Sequence, residues 1–152
     1  MMSFQVHPIG LVKTDWRRDG PRIHRDEIVS RLVIEEKYAE ALEGIEEYSH
    51  LFVLFWFHQL RPPESYGLRM HAKRGREGPF VGILATRGYG RPNPIGLAVV
   101  ELLRREANVL TVRGLDAFDG TPILDIKPYD HLDQKQAIRV PEWSAHPEEP
   151  SA

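Results

Sequence analysis

The run Leu51-Phe52-Val53-Leu54-Phe55-Trp56-Phe57 is apolar at every position. It is far shorter than the roughly 20 residues a membrane-spanning helix needs, and its aromatic and β-branched content favours an extended strand. A strand apolar on both faces belongs at the centre of a fold, buried on either side. Other strand-like runs surround it. Phe4 to Val12 carries a Pro8 and a Gly10 that point to an edge or a bulge. Ile28–Ile34, Phe80–Thr86, Leu97–Leu103, Val109–Gly114 and Pro122–Ile126 follow. Seven such runs separated by turn signals predict a barrel or a sandwich. One short helix is expected, because Tyr38, Ala41, Leu42 and Ile45 follow the i, i+3, i+4, i+7 spacing of an amphipathic face. Gly44 should end it as a left-handed cap.

The chain has 152 residues, 41% hydrophobic and 28% charged, which suits one globular domain with a core of its own. Residues 1–140 are read as that domain and 141–152 as a flexible tail rich in Pro and Glu. Within the domain Arg61 to Gly78, with Pro62-Pro63, reads as a long surface loop of the kind that is either functional or disordered. There is no cysteine, which excludes disulfides, thiolate catalysis and cysteine-held metal clusters. Met1-Met2-Ser3-Phe4-Gln5 has neither the charge nor the apolar block of a signal peptide. These features read as a cytoplasmic chain without membrane association. The net charge is −2, yet basic residues gather at Arg17, Arg18, Arg22 and Arg25, and again at Arg69, Lys73, Arg74 and Arg76. Each cluster is either a solvated loop or a nucleic-acid contact.

The stretch Ala85-Thr86-Arg87-Gly88-Tyr89-Gly90-Arg91-Pro92-Asn93-Pro94-Ile95-Gly96-Leu97 is the richest in chemistry. Its prolines exclude helix and central strand, and Arg91 and Asn93, each before a proline, are biased to extended geometry. A stiff loop with two arginines and an amide suits an anionic, planar or zwitterionic ligand. It equally suits an ordered connection whose arginines bond nearby carbonyls. His58-Gln59 leave the apolar strand at its rim, as pocket residues or as a polar cap, while His50 before the strand reads as structural. Asp119-Gly120 marks a tight turn. Asp116, Asp119 and Asp125 would either recognise a ligand with N–H and O–H donors or pair with the arginine loop. No phosphate-binding Gly-x4-Gly-Lys loop, dinucleotide fingerprint, nucleophile elbow or His-x3-His pair is present, and no metal site is expected.

Taken together, Thr86-Arg87, Arg91-Pro92-Asn93-Pro94-Ile95-Gly96 and Asp119-Gly120-Thr121-Pro122-Ile123-Leu124-Asp125-Ile126-Lys127-Pro128-Tyr129 resemble the hallmark motifs of the TsaA-like proteins. These are tRNA methyltransferases of the TrmO type. Pro8-Ile9-Gly10-Leu11-Val12, Leu42-Glu43-Gly44-Ile45-Glu46-Glu47-Tyr48-Ser49-His50-Leu51 and Trp56-Phe57-His58-Gln59 add to the likeness, which runs in order over roughly residues 4 to 130.

The resemblance implies a mainly β, single-domain β-barrel with one short helix and long loops. It further implies a homodimer, S-adenosylmethionine as cofactor, and methylation of N6 of threonylcarbamoyladenosine beside the anticodon of tRNA. Pro21, His58, Gln59, Arg87, Leu97, Gly114, Leu115 and Asp116 fall where the family contacts the cofactor. Arg91, Asn93 and Lys127 are assigned to the substrate, and Asp125, Lys127 and Tyr129 stand as candidates for the base, with no choice among them. Three features depart from the family pattern: Gly88-Tyr89 between the two arginines, no proline after His71, and no small C-terminal domain after Tyr129. The other readings are a methyltransferase for a small molecule and a non-catalytic S-adenosylmethionine-binding sensor.

Overall fold

The structure is a computed structural model that describes residues 1–72 and 78–144. Lys73, Arg74 and Arg76 of the second basic cluster, and the tail from residue 145, lie outside the described residues. Eight strands are described: β1 (Gly10–Lys13), β2 (Val29–Ile34), β3 (His50–Trp56), β4 (Arg69–His71), β5 (Phe80–Gly82), β6 (Ile95–Glu106), β7 (Val109–Arg113) and β8 (Pro122–Pro128). Two compact units are distinguishable. One comprises Met1–Gln59 and Ile95–Asp133, the other Leu60–Pro94 and the chain from Gln134 onward.

The first unit is a closed antiparallel barrel in the order β1-β2-β7-β6-β3-β8. Alternation along each strand fills it. Val12, Leu32, Ile34, Leu51, Val53, Leu110, Val112 and Ile123 point inward and are fully buried, each worth about 1.5–3 kcal/mol against exposure. β3, the central strand, is inward at Leu51, Val53 and Phe55 and only half-buried at Phe52, Leu54 and Trp56. Its outer face is therefore less covered than an all-apolar run predicts. Twelve-residue β6 serves two neighbours: Ile95–Glu101 pair with β3, and from Glu101 onward the strand pairs with β7 past an irregularity between Leu102 and Arg104.

The first expected strand shrinks to Gly10–Lys13, and it is no edge. β1 closes the barrel through only two register pairs with β8, Gly10 to Ile123 and Leu11 to Pro122. Ile9 N–H donates to Ile123 O (2.8 Å), Val12 N–H to Thr121 O (2.9 Å) and Gly120 N–H to Val12 O (2.8 Å), which lengthens that seam. Asp119-Gly120 makes the turn the sequence predicts, with Thr121 N–H returning to Phe118 O at 3.1 Å.

The expected helix is present as a 3₁₀ segment, Glu36–Leu42, followed by a second, Ile45–Glu47. Gly44 between them is left-handed at φ 83°. Because 3₁₀ turns repeat every three residues, Leu42 and Ile45 pack on the core, Ala39 is half-buried and Ala41 is exposed. Arg105 gathers the orphan carbonyls of this segment. Its guanidinium donates to Leu42 O (3.1 Å) and Ala39 O (3.4 Å) and pairs with Glu46 (3.2 Å).

The second unit overturns one expectation. Phe80–Thr86 contributes no barrel strand: only Phe80–Gly82 is extended, and Ile83–Ala85 is a 3₁₀ turn. β5 pairs with β4, which lies inside the presumed loop Arg61–Gly78 and is too short to show a period of its own. Among the described residues no helix is long and apolar enough to cross a membrane.

Two glycines are required by close approach. A Cβ on Gly10 would strike Val33 O and sit 2.8 Å from Ile34 Cα, and one on Gly96 would enter the Phe55 ring. Gly10→Ala and Gly96→Ala are each expected to lower stability by about 1–3 kcal/mol, read as a reduced urea midpoint with an unchanged m-value.

Candidate functional site

Several of the residues assigned to a ligand lie on neighbouring parts of the barrel unit. Gly114 leaves β7 with its N–H donating to Ile28 O (2.9 Å), and Arg25 Nε donates to Gly114 O (3.3 Å). Both polar groups of Gly114 thus already serve the fold, and a ligand reading this segment meets the backbone beyond it or the second lone pair of that carbonyl. Leu115 is fully buried, so its side chain belongs to the core and only its backbone is available. Asp116 is exposed.

Ile28 connects this segment to a cavity of about 310 Å³ lined by Trp16, Arg17, Pro21, Ile23, Ile28 and Val29 among others. Pro21 lines this cavity. The loop that carries it is tied down twice. Trp16 stacks on Phe118 with centroids 5.6 Å apart and planes inclined by 11°, and Thr14 N–H donates to Asp119 Oδ1 (3.1 Å). Asp119 is thus a structural residue. The sequence held a signal for Trp16 only in its aromaticity, because the partner that makes it a wall is 102 positions away.

On the other side of Gly114 runs β6. A Cβ on Gly114 would stand 3.8 Å from Val99 O, two residues along the strand from Leu97. Leu97 faces outward and is 49% exposed. It pairs with Leu54 of β3, which pairs in turn with Asp125 of β8. At about 4.8 Å per strand, Asp125 lies roughly 10 Å across the sheet from Leu97. Asp125 is bonded within its own strand. Its carboxylate takes Lys127 Nζ at 2.8 Å and the N–H of Ile126 at 2.9 Å. Lys127 is itself exposed, opposite Phe52. Tyr129 packs edge-on against Phe52 with centroids 5.3 Å apart. His58 and Gln59 are exposed just past the end of β3. His50 sits at the opposite end of that strand, 2.8 Å from Ser49 Oγ.

Arg87, Arg91 and Asn93 belong to the second unit. There Arg91 holds the loop: Nη1 donates to Thr86 O (2.8 Å) and Gly88 O (3.1 Å). Thr86 Oγ1 donates to Ile83 O (2.9 Å) and accepts from Gly88 N–H (3.1 Å). The loop lies against Tyr66 and Met70. Cβ atoms on Gly90 and Gly88 would come within 2.8 Å of Tyr66 Cδ1 and 2.9 Å of Met70 Sδ. Arg87 and Asn93 are exposed in the same loop. Among the described residues no group of three or more His, Asp or Glu is arranged to hold a metal ion. Arg91→Ala is expected to speed hydrogen exchange at Gly88 about tenfold, the worth of one charge-assisted bond, while the amides of β3 keep their protection.

Residues 16–134 match the tRNA-methyltransferase O N-terminal domain family. A probable S-adenosyl-L-methionine-binding protein of Methanothermobacter thermautotrophicus is 42% identical over 135 residues, covering 84% of this chain and 91% of the relative. The tRNA (adenine(37)-N6)-methyltransferase of Escherichia coli is 34% identical over 148 residues, covering 85% of this chain and 59% of the relative. The crystal structure of TrmO from Pseudomonas aeruginosa superposes with a TM-score of 0.75 at 34% identity, over 96% of this chain and 65% of that one. This chain therefore spans less than two thirds of those two longer proteins. With the match running through the barrel and through the loops just described, the chain belongs to the tRNA-methyltransferase O N-terminal domain family.

Proposed function

We propose that this protein binds S-adenosylmethionine and methylates N6 of an adenosine in tRNA, the threonylcarbamoyl-bearing adenosine beside the anticodon. One observation carries the reading. The family match spans every residue assigned to the cofactor, and the barrel sets the Pro21 cavity, the Gly114–Asp116 segment and Leu97 side by side.

The residues present fit that cofactor. Trp16, Pro21 and Ile23 offer apolar walls around about 310 Å³, which is pocket-sized for a compact ligand. Asp116 offers an exposed carboxylate to ribose hydroxyls or an ammonium group. Arg87 is the guanidinium for the amino-acid carboxylate, and Leu97 is an apolar wall. His58 and Gln59 add imidazole and amide at the end of β3. When bound, S-adenosylmethionine supplies a methyl group on a cationic sulfur.

The chain's own task is then to align the acceptor and manage one proton. Alignment alone is worth about 7–11 kcal/mol. A threonylcarbamoylated N6 is a ureido nitrogen with a poorly available lone pair, so its proton must leave during or before attack. Asp125 and Lys127 form an ion pair at 2.8 Å. Asp125, Lys127 and Tyr129 stand as the candidates for the base. Arg91 and Asn93 shape the loop that would meet the acceptor.

The protein acts in this reading as a homodimer in the cytoplasm, where its tRNA is found. Ile95, Leu97 and Val99 are 39%, 49% and 38% exposed in a row on β6, opposite half-buried Trp56, Leu54 and Phe52. An outward apolar strip of this kind is suited to a second copy.

Arg87→Ala and Asp116→Ala are each expected to weaken S-adenosylmethionine about 10- to 100-fold by calorimetry, the loss of one charged hydrogen bond. Wild-type affinity in either variant removes that residue from the site. With a labelled methyl donor, threonylcarbamoylated tRNA should acquire label in vitro. Cells lacking the gene should lose the N6-methylated nucleoside from digested tRNA, and its persistence would refute the tRNA assignment.

A further inference from the structure

The β4–β5 sheet carries a side-chain cluster that this methyl-transfer site does not use. Arg69 Cζ lies 4.7 Å from the centroid of the Phe80 ring, and the His71 ring lies 5.2 Å from it, inclined by 57°. His71 and Phe80 are register partners. Arg69 is fixed in place, because Nη2 donates to Phe80 O at 2.9 Å. His71 Nδ1 stands 3.2 Å from Gly78 O. Despite these neighbours, Phe80 remains 49% exposed. The ring thus carries the Arg69 guanidinium over one face and still stands half in water.

Charge singles out the same part of the chain. Residues 60–94 hold seven Lys or Arg against two Asp or Glu, in a protein whose net charge is −2. The rest of the chain is therefore acidic, and this stretch is where a polyanion would settle.

We propose that the β4–β5 sheet is an RNA-binding platform on which an unpaired base stacks against Phe80, with Arg69 taking a phosphate or a base edge. Single-stranded loops of RNA are recognised through splayed bases on aromatic rings and guanidinium planes, with basic residues along the backbone. Arg69, already bonded to Phe80 O, loses little freedom when it engages a phosphate. An acidic peptide would satisfy the charge but offers no planar base to stack on the exposed part of the ring. The inference rests on the tRNA reading above and assigns that substrate a surface outside the methyl-transfer site.

The test uses the full chain, tRNA and Phe80→Leu, which keeps apolar volume and removes the π face. Affinity for tRNA should fall about tenfold, as for one stacked base, and Phe80→Trp should restore it. Arg69→Gln should flatten the dependence of log K on log salt by about one phosphate contact. The thermal shift induced by S-adenosylmethionine should stay at its wild-type value in all three variants. If Phe80→Leu binds tRNA like the wild type, the platform is wrong while the methylation reading stands. A loss that Phe80→Trp does not rescue, or that comes with loss of the cofactor shift, identifies the ring as packing and also overturns the platform. A wild-type protein that neither binds nor methylates tRNA overturns the methylation reading itself and the platform with it.

Discussion

The short seam between β1 and β8 is the constraint on which the barrel unit depends. Only two register pairs join these strands, and the hydrogen bonds of Ile9, Val12 and Gly120 extend the join. Without closure, β1 and β8 would be free edges with unpaired backbone groups. Gly10 makes closure feasible, because any side chain there would strike the backbone of β2. The same seam places the Asp119 turn beside Thr14 and lets Phe118 stack on Trp16. A pocket wall is thereby built from the two ends of the barrel's sequence.

Once the barrel is closed, its inside and outside have separate duties. The interior is filled by alternating aliphatic residues and stores the stability. The exterior of β3, β6 and β8 carries Leu54, Leu97, Asp125 and Lys127 on one continuous surface. Polar backbone groups that leave the strands are satisfied locally, as at Gly114 by Ile28 and Arg25. The motif around Arg91-Pro92-Asn93-Pro94-Ile95-Gly96 divides in the same way. Gly96 serves the packing against Phe55 and Arg91 the loop's own carbonyls, whereas Arg87 and Asn93 are exposed. A motif this dense therefore mixes residues that serve the fold with residues left exposed.

Much of the barrel was legible in the chain because strand alternation is a local property. β2, β3, β7 and β8 fall close to the runs that strand-like composition and turn signals marked. The failures were also physical. β4 has three residues, too few for a pattern. Phe80–Thr86 has strand-like composition, but only Ile83 in it is buried, and the chain turns there. The helical spacing at Tyr38 to Ile45 was real, yet the backbone took the tighter 3₁₀ path, so Ala39 replaced Ala41 on the inner side.

The sequence by itself determined the class of fold, the absence of cysteine chemistry, the turn at Asp119-Gly120 and the motif set that marks the family. Each of these is local, or is a composition. Only the tertiary structure decided which motif residues serve the fold and which lie exposed. It buried the side chain of Leu115, turned Arg91 onto Thr86 and Gly88, paired Asp125 with Lys127, and made Pro21 and Trp16 parts of one cavity. These outcomes depend on register and closure between strands far apart in the chain, and no spacing along the sequence encodes them.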